Sequence, residues 1–257
     1  ETLMHELAGK SAIITGASRG IGAATAREFA ALGASVVLAA RTLGEIEAIA
    51  AEIWAAGGKA TAVACDVSRY DDVQAAVERC QQAYGSVDIL VNNAGVIEPI
   101  GPLAEPDPDL WGAATDINYK GVYYGLRAAI PAMLNQGGGA IVNVSSGAAT
   151  SALEGWSQYC SSKAGALSLT RSANLEYRDQ GIQIVGLSPG TVATEMQVII
   201  KASGINPVSQ LDPSIHLPPE MAAKAIAWLC TKEAAEFAGG DVSLRDEDMQ
   251  RRMGLTL

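Results

Sequence analysis

The sequence predicts one α/β domain: a doubly wound parallel sheet of about seven strands, with helices on both faces. Short apolar runs rich in Val and Ile alternate with longer amphipathic stretches along the 257 residues. Apolar runs that no polar residue interrupts are typical of strands buried on both faces of a parallel sheet. Helical crossovers between such strands are right-handed, so they place helices on both sides. The length suits a single domain over 1–257.

The individual elements follow from these patterns. The predicted strands cover 11–15, 35–39, 60–65, 89–92, 140–144, 182–187 and 241–244. The predicted helices cover 20–32, 43–56, 70–84, 110–134, 159–179 and 220–231. Gly33, Gly57 and Gly85 follow the first three helices, where glycine favours a helix end. The stretch 191–219 is expected to form a mobile substrate loop, because connections of that length often act as lids.

Composition excludes several classes of function. The chain carries 28 acidic residues against 18 Lys and Arg, a formal net charge of −10. It therefore has no bulk attraction for nucleic acid or anionic membranes, and neither is expected as a partner. The four cysteines form no C-x-x-C pair, and His5 and His216 are isolated, so we expect no metal site. Dispersed cysteines and the lack of a signal-like N-terminus predict a cytoplasmic location.

A glycine-rich turn, TGASRGIG at 15–22, joins the first predicted strand to the first predicted helix. Glycines let the backbone approach a phosphate, and the following helix offers free N–H groups and a positive dipole end. A glycine cluster alone also fits a plain tight turn, but the strand before it and the helix after it favour a dinucleotide site. The candidate contacts are Gly16, Ser18, Arg19, Gly20, Ile21 and Gly22.

Three motifs together resemble the short-chain dehydrogenase/reductase family. They are TGASRGIG at 15–22, NNAG at 92–95 and YCSSK at 159–163. The resemblance extends over about residues 7–237. It implies a Rossmann-type fold, a nicotinamide dinucleotide as cofactor, and the reduction of a carbonyl to a secondary alcohol or the reverse reaction.

The resemblance also implies a catalytic group of Asn118, Ser146, Tyr159 and Lys163. Tyr159 and Lys163 are four residues apart on a predicted helix and so share one face. The ammonium is expected to lower the tyrosine pKa from about 10 and make the phenol a proton donor or acceptor near neutrality. Ser146 would hold the substrate oxygen, with Ser145 as the competing choice. Asn118 would hold a proton-relay water, or else satisfy nearby helix backbone.

The end of the second predicted strand favours NADP over NAD. In NAD-specific proteins an acidic residue about 20 positions past the glycines binds the ribose hydroxyls. Here Ala40 and then Arg41 occupy that place. A carboxylate would repel a 2′-phosphate, whereas a guanidinium binds one. Arg19 is expected to approach from the other side, and a solvated surface Arg41 is the alternative.

Further cofactor contacts are implied by the resemblance at the ends of the other strands. Asp66 and Val67 would meet the adenine, although Asp66 could instead cap the helix that starts near 71. Tyr159 and Lys163 would also hold the nicotinamide ribose. The remaining candidate contacts are Asn93, Ala94, Gly95, Pro189, Gly190, Val192 and Thr194.

The substrate is expected to bind between the Ser–Tyr loop and the stretch 191–219. Leu153, Trp156 and Met196 would line the pocket together with Ser146. An apolar roof is predicted from Met196, Ile199, Ile200 and Leu211.

The predicted helices 110–134 and 159–179 carry apolar or small residues on more than one face, and one face should meet a partner subunit. The resemblance implies a homotetramer, or a homodimer. Two alternatives to a simple carbonyl reductase stay open. A 3-oxoacyl-[acyl-carrier-protein] reductase would need basic residues for an acidic carrier, and 191–219 offers only Lys201. A non-catalytic NADP-binding sensor would be expected to lack the Ser, Tyr or Lys.

Overall fold

The computed structural model describes residues 6–255, so His5 lies outside the described residues. Seven strands form one sheet in the order β3-β2-β1-β4-β5-β6-β7, and every neighbouring pair is parallel. The strands are β1 Ser11–Thr15, β2 Ser35–Ala40, β3 Lys59–Ala64, β4 Ile89–Asn92, β5 Gly139–Val144, β6 Ile182–Ser188 and β7 Asp241–Ser243. The predicted doubly wound parallel sheet is confirmed.

Helices connect these strands on both faces of the sheet. They are α1 Gly20–Ala31, α2 Leu43–Ala55, α3 Tyr70–Tyr84, α4 Pro108–Thr115, α5 Gly121–Asn135, α6 Ser157–Tyr177, α7 Glu195–Ser203, α8 Pro219–Leu229 and α9 Glu247–Arg252. Within residues 6–255, none of the helices is long and apolar enough to span a bilayer.

The core forms two apolar layers, one on each side of the sheet. Phe29, Leu38 and Ile226 belong to one layer, and Leu90 and Met133 belong to the other. Successive residues of a strand point to opposite faces, so a strand between two apolar layers needs apolar residues at every position. This explains why the strand sequences are continuous apolar runs.

The strand order reverses between β1 and β4, which places the loops that follow these two strands side by side. The Thr15 hydroxyl accepts hydrogen bonds from the N–H groups of Asn93 (3.0 Å) and Ala94 (3.1 Å). The Asn93 side chain donates to the Thr15 carbonyl at 3.0 Å. The glycine-rich turn and the NNAG segment are therefore joined at the topological switch point, where open α/β sheets bind ligands.

The predicted helix 110–134 is interrupted. It consists of α4, one π-helical turn over Asp116–Lys120, and α5. Asp107 begins α4 by accepting from the N–H groups of Asp109 and Leu110. The π turn adds one residue without breaking the apolar periodicity, so the sequence pattern alone did not reveal it. Such turns are frequent at functional sites, and this one carries Asn118.

The stretch 191–219 is more ordered in structure than a plain loop. It contains α7 and two short 3₁₀ turns, Pro207–Gln210 and Pro213–Ile215. Its two ends are joined: the N–H of Leu217 donates to the Thr191 carbonyl, and the N–H of Ala193 donates to the Leu217 carbonyl, both at 2.9 Å. The segment is therefore a loop that is closed at its base. Its mobility stays a prediction.

Most apolar residues of α5 and α6 are buried within the protomer, including Val122, Leu126 and Leu167. A smaller set of large apolar side chains on α4, α5 and α6 faces outward: Leu110 is 61%, Tyr123 47% and Leu175 75% exposed. Any contact with a second subunit through these helices has to use the outward-facing set.

Candidate active site

A cleft of about 2040 Å³ opens at the carboxyl edge of the sheet. Pockets for single small molecules measure about 300–1,000 Å³, so this cleft has room for a dinucleotide together with a substrate. It is lined by nearly all of the residues that the sequence nominates as site residues. Gly22, Asn118 and Leu211 are the exceptions among those nominated residues.

The glycine-rich turn forms one wall of the cleft. Gly16 has a φ of +61°, and a Cβ placed on it would lie 2.8 Å from the Ala94 Cα. Gly22 lies beneath the turn, where a Cβ would sit 2.2 Å from the Gly16 carbonyl oxygen. Gly22 therefore permits the tight packing of the turn, and it does not itself line the cleft.

The start of α1 leaves donors for an anion. Arg19 precedes α1 in an extended conformation, and no side chain of residues 6–255 caps the helix. The first N–H groups of a helix need a partner, and a phosphate at a helix N-terminus satisfies them. The close-packed glycine turn and the uncapped helix together fit the pyrophosphate of a dinucleotide.

The adenosine end of the cleft is formed where β2 and β3 end. Ala40 is buried and small, while Arg41 is exposed and lines the cleft. The Asp66 carboxylate accepts from the N–H (3.0 Å) and the hydroxyl (2.7 Å) of Ser68. Burial acts to raise the pKa of Asp66, but these bonds and the nearby Arg41 guanidinium hold it below its ordinary value. Asp66 thus stabilises a local turn and does not cap α3, which Arg69 precedes.

Arg19 lines the cleft beside the glycine-rich turn. Its guanidinium pairs with Glu195 in the first turn of α7 rather than with the adenosine end of the cleft. The approach of Arg19 to a 2′-phosphate stays a prediction. The pair joins residues 176 positions apart in the chain and links the glycine-rich turn to α7.

Tyr159 and Lys163 lie on one face of α6, as their spacing predicts. Both are buried, and the Lys163 Nζ is 5.6 Å from the centroid of the Tyr159 ring. The ammonium donates to the Val144 carbonyl at 2.8 Å. Burial lowers the pKa of Lys163 from its ordinary value to about 8.

The pKa of Tyr159 moves opposite to the sequence-based expectation. Burial raises it, because the charged phenolate is poorly solvated inside the protein, and the adjacent Ser146 hydroxyl opposes that rise. The protein's own groups therefore hold Tyr159 as a neutral phenol, which is the form that donates a proton.

The two serines after β5 have different partners. The Ser146 hydroxyl accepts from the N–H of Ala148 at 3.1 Å and lies beside Tyr159. The Ser145 hydroxyl instead donates to the Asp241 carboxylate at 3.1 Å. This arrangement favours Ser146 over Ser145 as the group that meets a substrate oxygen.

Asn118 is fully buried behind the wall of the cleft. Its Oδ1 accepts from the N–H of Val96 at 2.8 Å, and its Nδ2 donates to the Val96 carbonyl at 2.7 Å. A Cβ on Gly95 would lie 3.3 Å from Asn118 Oδ1 and 3.8 Å from Lys163 Nζ. Asn118 is thus close to Lys163, but its amide satisfies backbone groups of a loop rather than of a helix.

The substrate side of the cleft is an apolar cluster around Tyr159. Leu153, Trp156 and Met196 all belong to it. Leu211, predicted as part of the roof, lies outside this cluster; its carbonyl accepts from the Lys201 ammonium. Further members that line the cleft are Ile97, Ala148, Ile199, Ile200 and Val208.

The segment after β6 also lines the cleft, through Pro189, Gly190, Val192 and Thr194. The sequence-based reasoning missed Arg245, which also lines it. A Cβ on Gly190 would lie 3.6 Å from the Arg245 Cγ, so the arginine lies directly over this glycine. Arg245 follows β7, and its only sequence signal is its position after a strand. Among the described residues, no group of three His, Cys, Asp or Glu side chains could hold a metal.

Comparisons with known proteins identify the family of the chain. A family model described as short chain dehydrogenase matches residues 10–203. The chain is 34% identical to cyclohexanol dehydrogenase of Acinetobacter sp. (strain SE19), over 90% of this chain and 91% of that protein. It is 35% identical to a 3-oxoacyl-[acyl-carrier-protein] reductase of Synechocystis sp., over 92% and 95%. A crystal structure of a short-chain type dehydrogenase/reductase from Mycobacterium marinum matches with a TM-score of 0.85 and 31% identity, over 92% and 94%.

Proposed function

Because the chain belongs to the short-chain dehydrogenase family, whose members are oxidoreductases of alcohols and carbonyls that use NAD or NADP, we propose that it is an NADP-dependent carbonyl reductase or secondary-alcohol dehydrogenase. One observation supports this most directly. Ser146, Tyr159 and Lys163 meet where the glycine-lined arm of the cleft joins the apolar cluster. A dinucleotide and a ketone bound in these two parts would meet beside Tyr159.

The chemistry of the proposed reaction divides between cofactor and protein. A bound nicotinamide supplies or accepts the hydride at the substrate carbon. Tyr159 donates its phenolic proton to the carbonyl oxygen during reduction, and Ser146 donates a hydrogen bond to the same oxygen. The Lys163 ammonium stabilises the phenolate left behind, because an opposite charge favours the ionised form. Asn118 holds the Val96 backbone next to Lys163 and would complete the relay.

The preference for NADP is supported by the end of β2. Ala40 leaves the ribose position free of a carboxylate, and the Arg41 guanidinium is exposed on the cleft wall. A guanidinium binds a phosphate through two hydrogen bonds. NAD would lack that contact.

The substrate proposed is a small apolar ketone or its alcohol. The apolar cluster around Trp156 supports it, and the similarity to cyclohexanol dehydrogenase agrees. The similarity to a 3-oxoacyl-[acyl-carrier-protein] reductase keeps that alternative open. An acidic carrier protein would meet Glu98 and Glu220 at the cleft, and the stretch 191–219 offers Lys201 as its one basic side chain.

We further propose a homotetramer, or a homodimer, that uses the outward-facing Leu110, Tyr123 and Leu175. A cytoplasmic location is supported by the cysteines, all four of which lie within the described residues as free thiols.

The experiment that tests the proposal is a panel of substrates with both cofactors. NADPH and NADH oxidation are followed with cyclohexanone, a vicinal diketone and acetoacetyl thioester, and Tyr159→Phe is assayed in parallel. We expect the highest kcat/KM with cyclohexanone or the diketone and NADPH. A preference for the thioester would establish the carrier-protein alternative. Tight NADPH binding without turnover of any substrate would indicate a sensor.

A further inference from the structure

A half-buried carboxylate, Asp241, is bound by two serines that line the cleft, although it does not line the cleft itself. The Asp241 side chain, at the start of β7, receives hydrogen bonds on Oδ2 from the hydroxyls of Ser145 (3.1 Å) and Ser188 (2.8 Å). Its Oδ1 is buried and has no hydrogen-bond partner among residues 6–255. A buried carboxylate with one oxygen unpaired is costly, so its presence calls for a compensating interaction.

Gly186 provides the space for this carboxylate. It is the register partner of Asp241 in the neighbouring strand, and a Cβ on it would lie 2.9 Å from Asp241 Oδ1. A larger residue at 186 would push the carboxylate away. The two serines and the glycine therefore form a site that holds Asp241 in one position.

The Lys163 ammonium is the positive charge that Val144 and Ser145 connect to this carboxylate. Lys163 Nζ donates a hydrogen bond to the Val144 carbonyl. Ser145 is the next residue along the chain, and its hydroxyl donates to the Asp241 carboxylate. Lys163 forms no ion pair closer than 4 Å within the described part of the chain. A buried ammonium without an opposite charge loses its proton readily.

We propose that Asp241 is a positioning residue for the reaction: its carboxylate, held by Ser145 and Ser188, keeps Lys163 in the ammonium form beside Tyr159. This inference rests on the proposed function, because that function is what gives Lys163 a catalytic role. Asp241 acts through Lys163 and does not touch the substrate.

The electrostatics of the neighbouring groups agree with this arrangement. Burial lowers the pKa of Lys163 to about 8, and the Asp241 charge opposes that fall. Burial raises the pKa of Asp241, while the two serine hydroxyls and then Lys163 and Arg171 oppose the rise. Arg171 and Tyr159, whose ring centroid lies 5.6 Å from Lys163 Nζ, both lie on α6 itself. Ser145, directly after β5, and Ser188, the last residue of β6, contribute uncharged hydroxyls to the site.

Lysine NMR tests the proposal without any substrate. The full-length protein is labelled with [ε-¹³C]lysine, and the Lys163 signal is assigned by its loss in Lys163→Met. We expect Lys163 to titrate near 8 in the wild type and about one pH unit lower in Asp241→Asn, the low end of the effect of a nearby opposite charge. Equal titration in both proteins would overturn the proposal, whatever reaction the enzyme catalyses.

A matched variant separates charge from packing. Ser188→Ala removes one hydrogen bond to Asp241 but keeps its charge, so Lys163 should titrate as in the wild type. If Asp241→Asn and Ser188→Ala shifted the Lys163 titration equally, packing rather than charge would be responsible and the proposal would fail. Should Asp241→Asn not fold, Asp241→Thr makes the same test, because threonine suits an edge strand and still bonds to serine.

The pH profile of turnover is the second readout. In Asp241→Asn the alkaline fall of kcat/KM for cyclohexanone reduction should move to lower pH by the same shift as the Lys163 titration. A shifted Lys163 titration in a protein that shows no turnover at any pH would refute the proposed function. It would still support the electrostatic link between Asp241 and Lys163.

Discussion

The indole ring of Trp156 meets the ring of Tyr159 edge-on, with centroids 5.6 Å apart and planes at 82°. Trp156 begins the turn into α6 and is 4% exposed. The pair joins the apolar wall of the cleft to the residue proposed to transfer the proton. Such aromatic pairs contribute about 0.5–1.5 kcal/mol beyond their buried area, so the wall also fixes the orientation of the phenol.

Removing the indole should change substrate choice. In Trp156→Ala we expect the ratio of kcat/KM for cyclohexanone, a bulky ketone, to kcat/KM for acetone to change at least about threefold. The reason is that each methylene that a pocket accepts or excludes contributes about 1–3 kcal/mol of discrimination between substrates. The variant should also lose about 3–5 kcal/mol of stability, measured by urea denaturation. The control is Trp54→Ala, a 57% exposed tryptophan on α2. An unchanged ratio would show that Trp156 is not a pocket wall.

Tyr159→Phe should abolish most turnover while the protein stays folded. The substitution removes only the hydroxyl, and general acid–base catalysis by one group contributes about 10²–10⁴ in rate. We expect kcat to fall by that factor. The affinity for NADPH, measured by cofactor fluorescence, should change little. Tyr70→Phe, which loses a hydroxyl remote from the cleft, should keep its activity. Near-normal turnover in purified Tyr159→Phe would rule out the assignment.

Carbonyl reduction should slow as the pH rises through about 8. The ammonium form of Lys163 is the one that stabilises the phenolate, and burial lowers the pKa of Lys163 to about 8. Below that pH the lysine is charged and kcat/KM should be constant; above it, kcat/KM should fall by about tenfold per unit. The measurement is kcat/KM for cyclohexanone at saturating NADPH. A constant value up to pH 10 would contradict the role of Lys163.

The cofactor preference should follow the charge at the end of β2. Ala40→Asp combined with Arg41→Ile adds a carboxylate and removes the guanidinium. A charge-assisted hydrogen bond contributes about 1.5–3 kcal/mol, and 1.4 kcal/mol is tenfold, so the NADP/NAD ratio of kcat/KM should fall by at least about 10². The change should appear in KM for NADPH more than in kcat, because the 2′-phosphate is remote from the hydride.

Arg79→Ile serves as the control for that variant, since Arg79 is an exposed arginine in the middle of α3. It should leave the cofactor ratio unchanged. A wild type that prefers NADH would show that Arg41 is an ordinary surface residue.

Assembly should depend on the outward-facing residues of α5 and α6. Light scattering at micromolar concentration should give a multiple of the 26.5 kDa protomer mass. Tyr123→Ser combined with Leu175→Ser should shift that mass toward the protomer, because both changes remove apolar surface that a partner would cover. Leu103→Ser, which alters an exposed leucine between β4 and α4, is the control. A wild-type monomer would contradict the proposed oligomer.

The sequence determined the architecture and most of the cleft. Strand positions can be predicted because burial on both faces requires a local run of apolar residues, and β1, β4 and β6 were located to within one residue. The glycine-rich turn, NNAG and the Tyr159–Lys163 pair are likewise local patterns. Each of these patterns could be assigned to the cleft, because the carboxyl ends of parallel strands lie at the same edge of the sheet.

Only the tertiary structure decided which distant residues meet. Arg19 pairs with Glu195 across 176 positions, and Asp241 binds Ser145 across 96. These contacts depend on the order of the strands and on which face each side chain takes, and local periodicity contains neither. The pKa shifts of Tyr159 and Lys163 also depend on the tertiary structure. Burial by the whole fold determines the direction of each shift, and the spacing of the two residues along α6 does not.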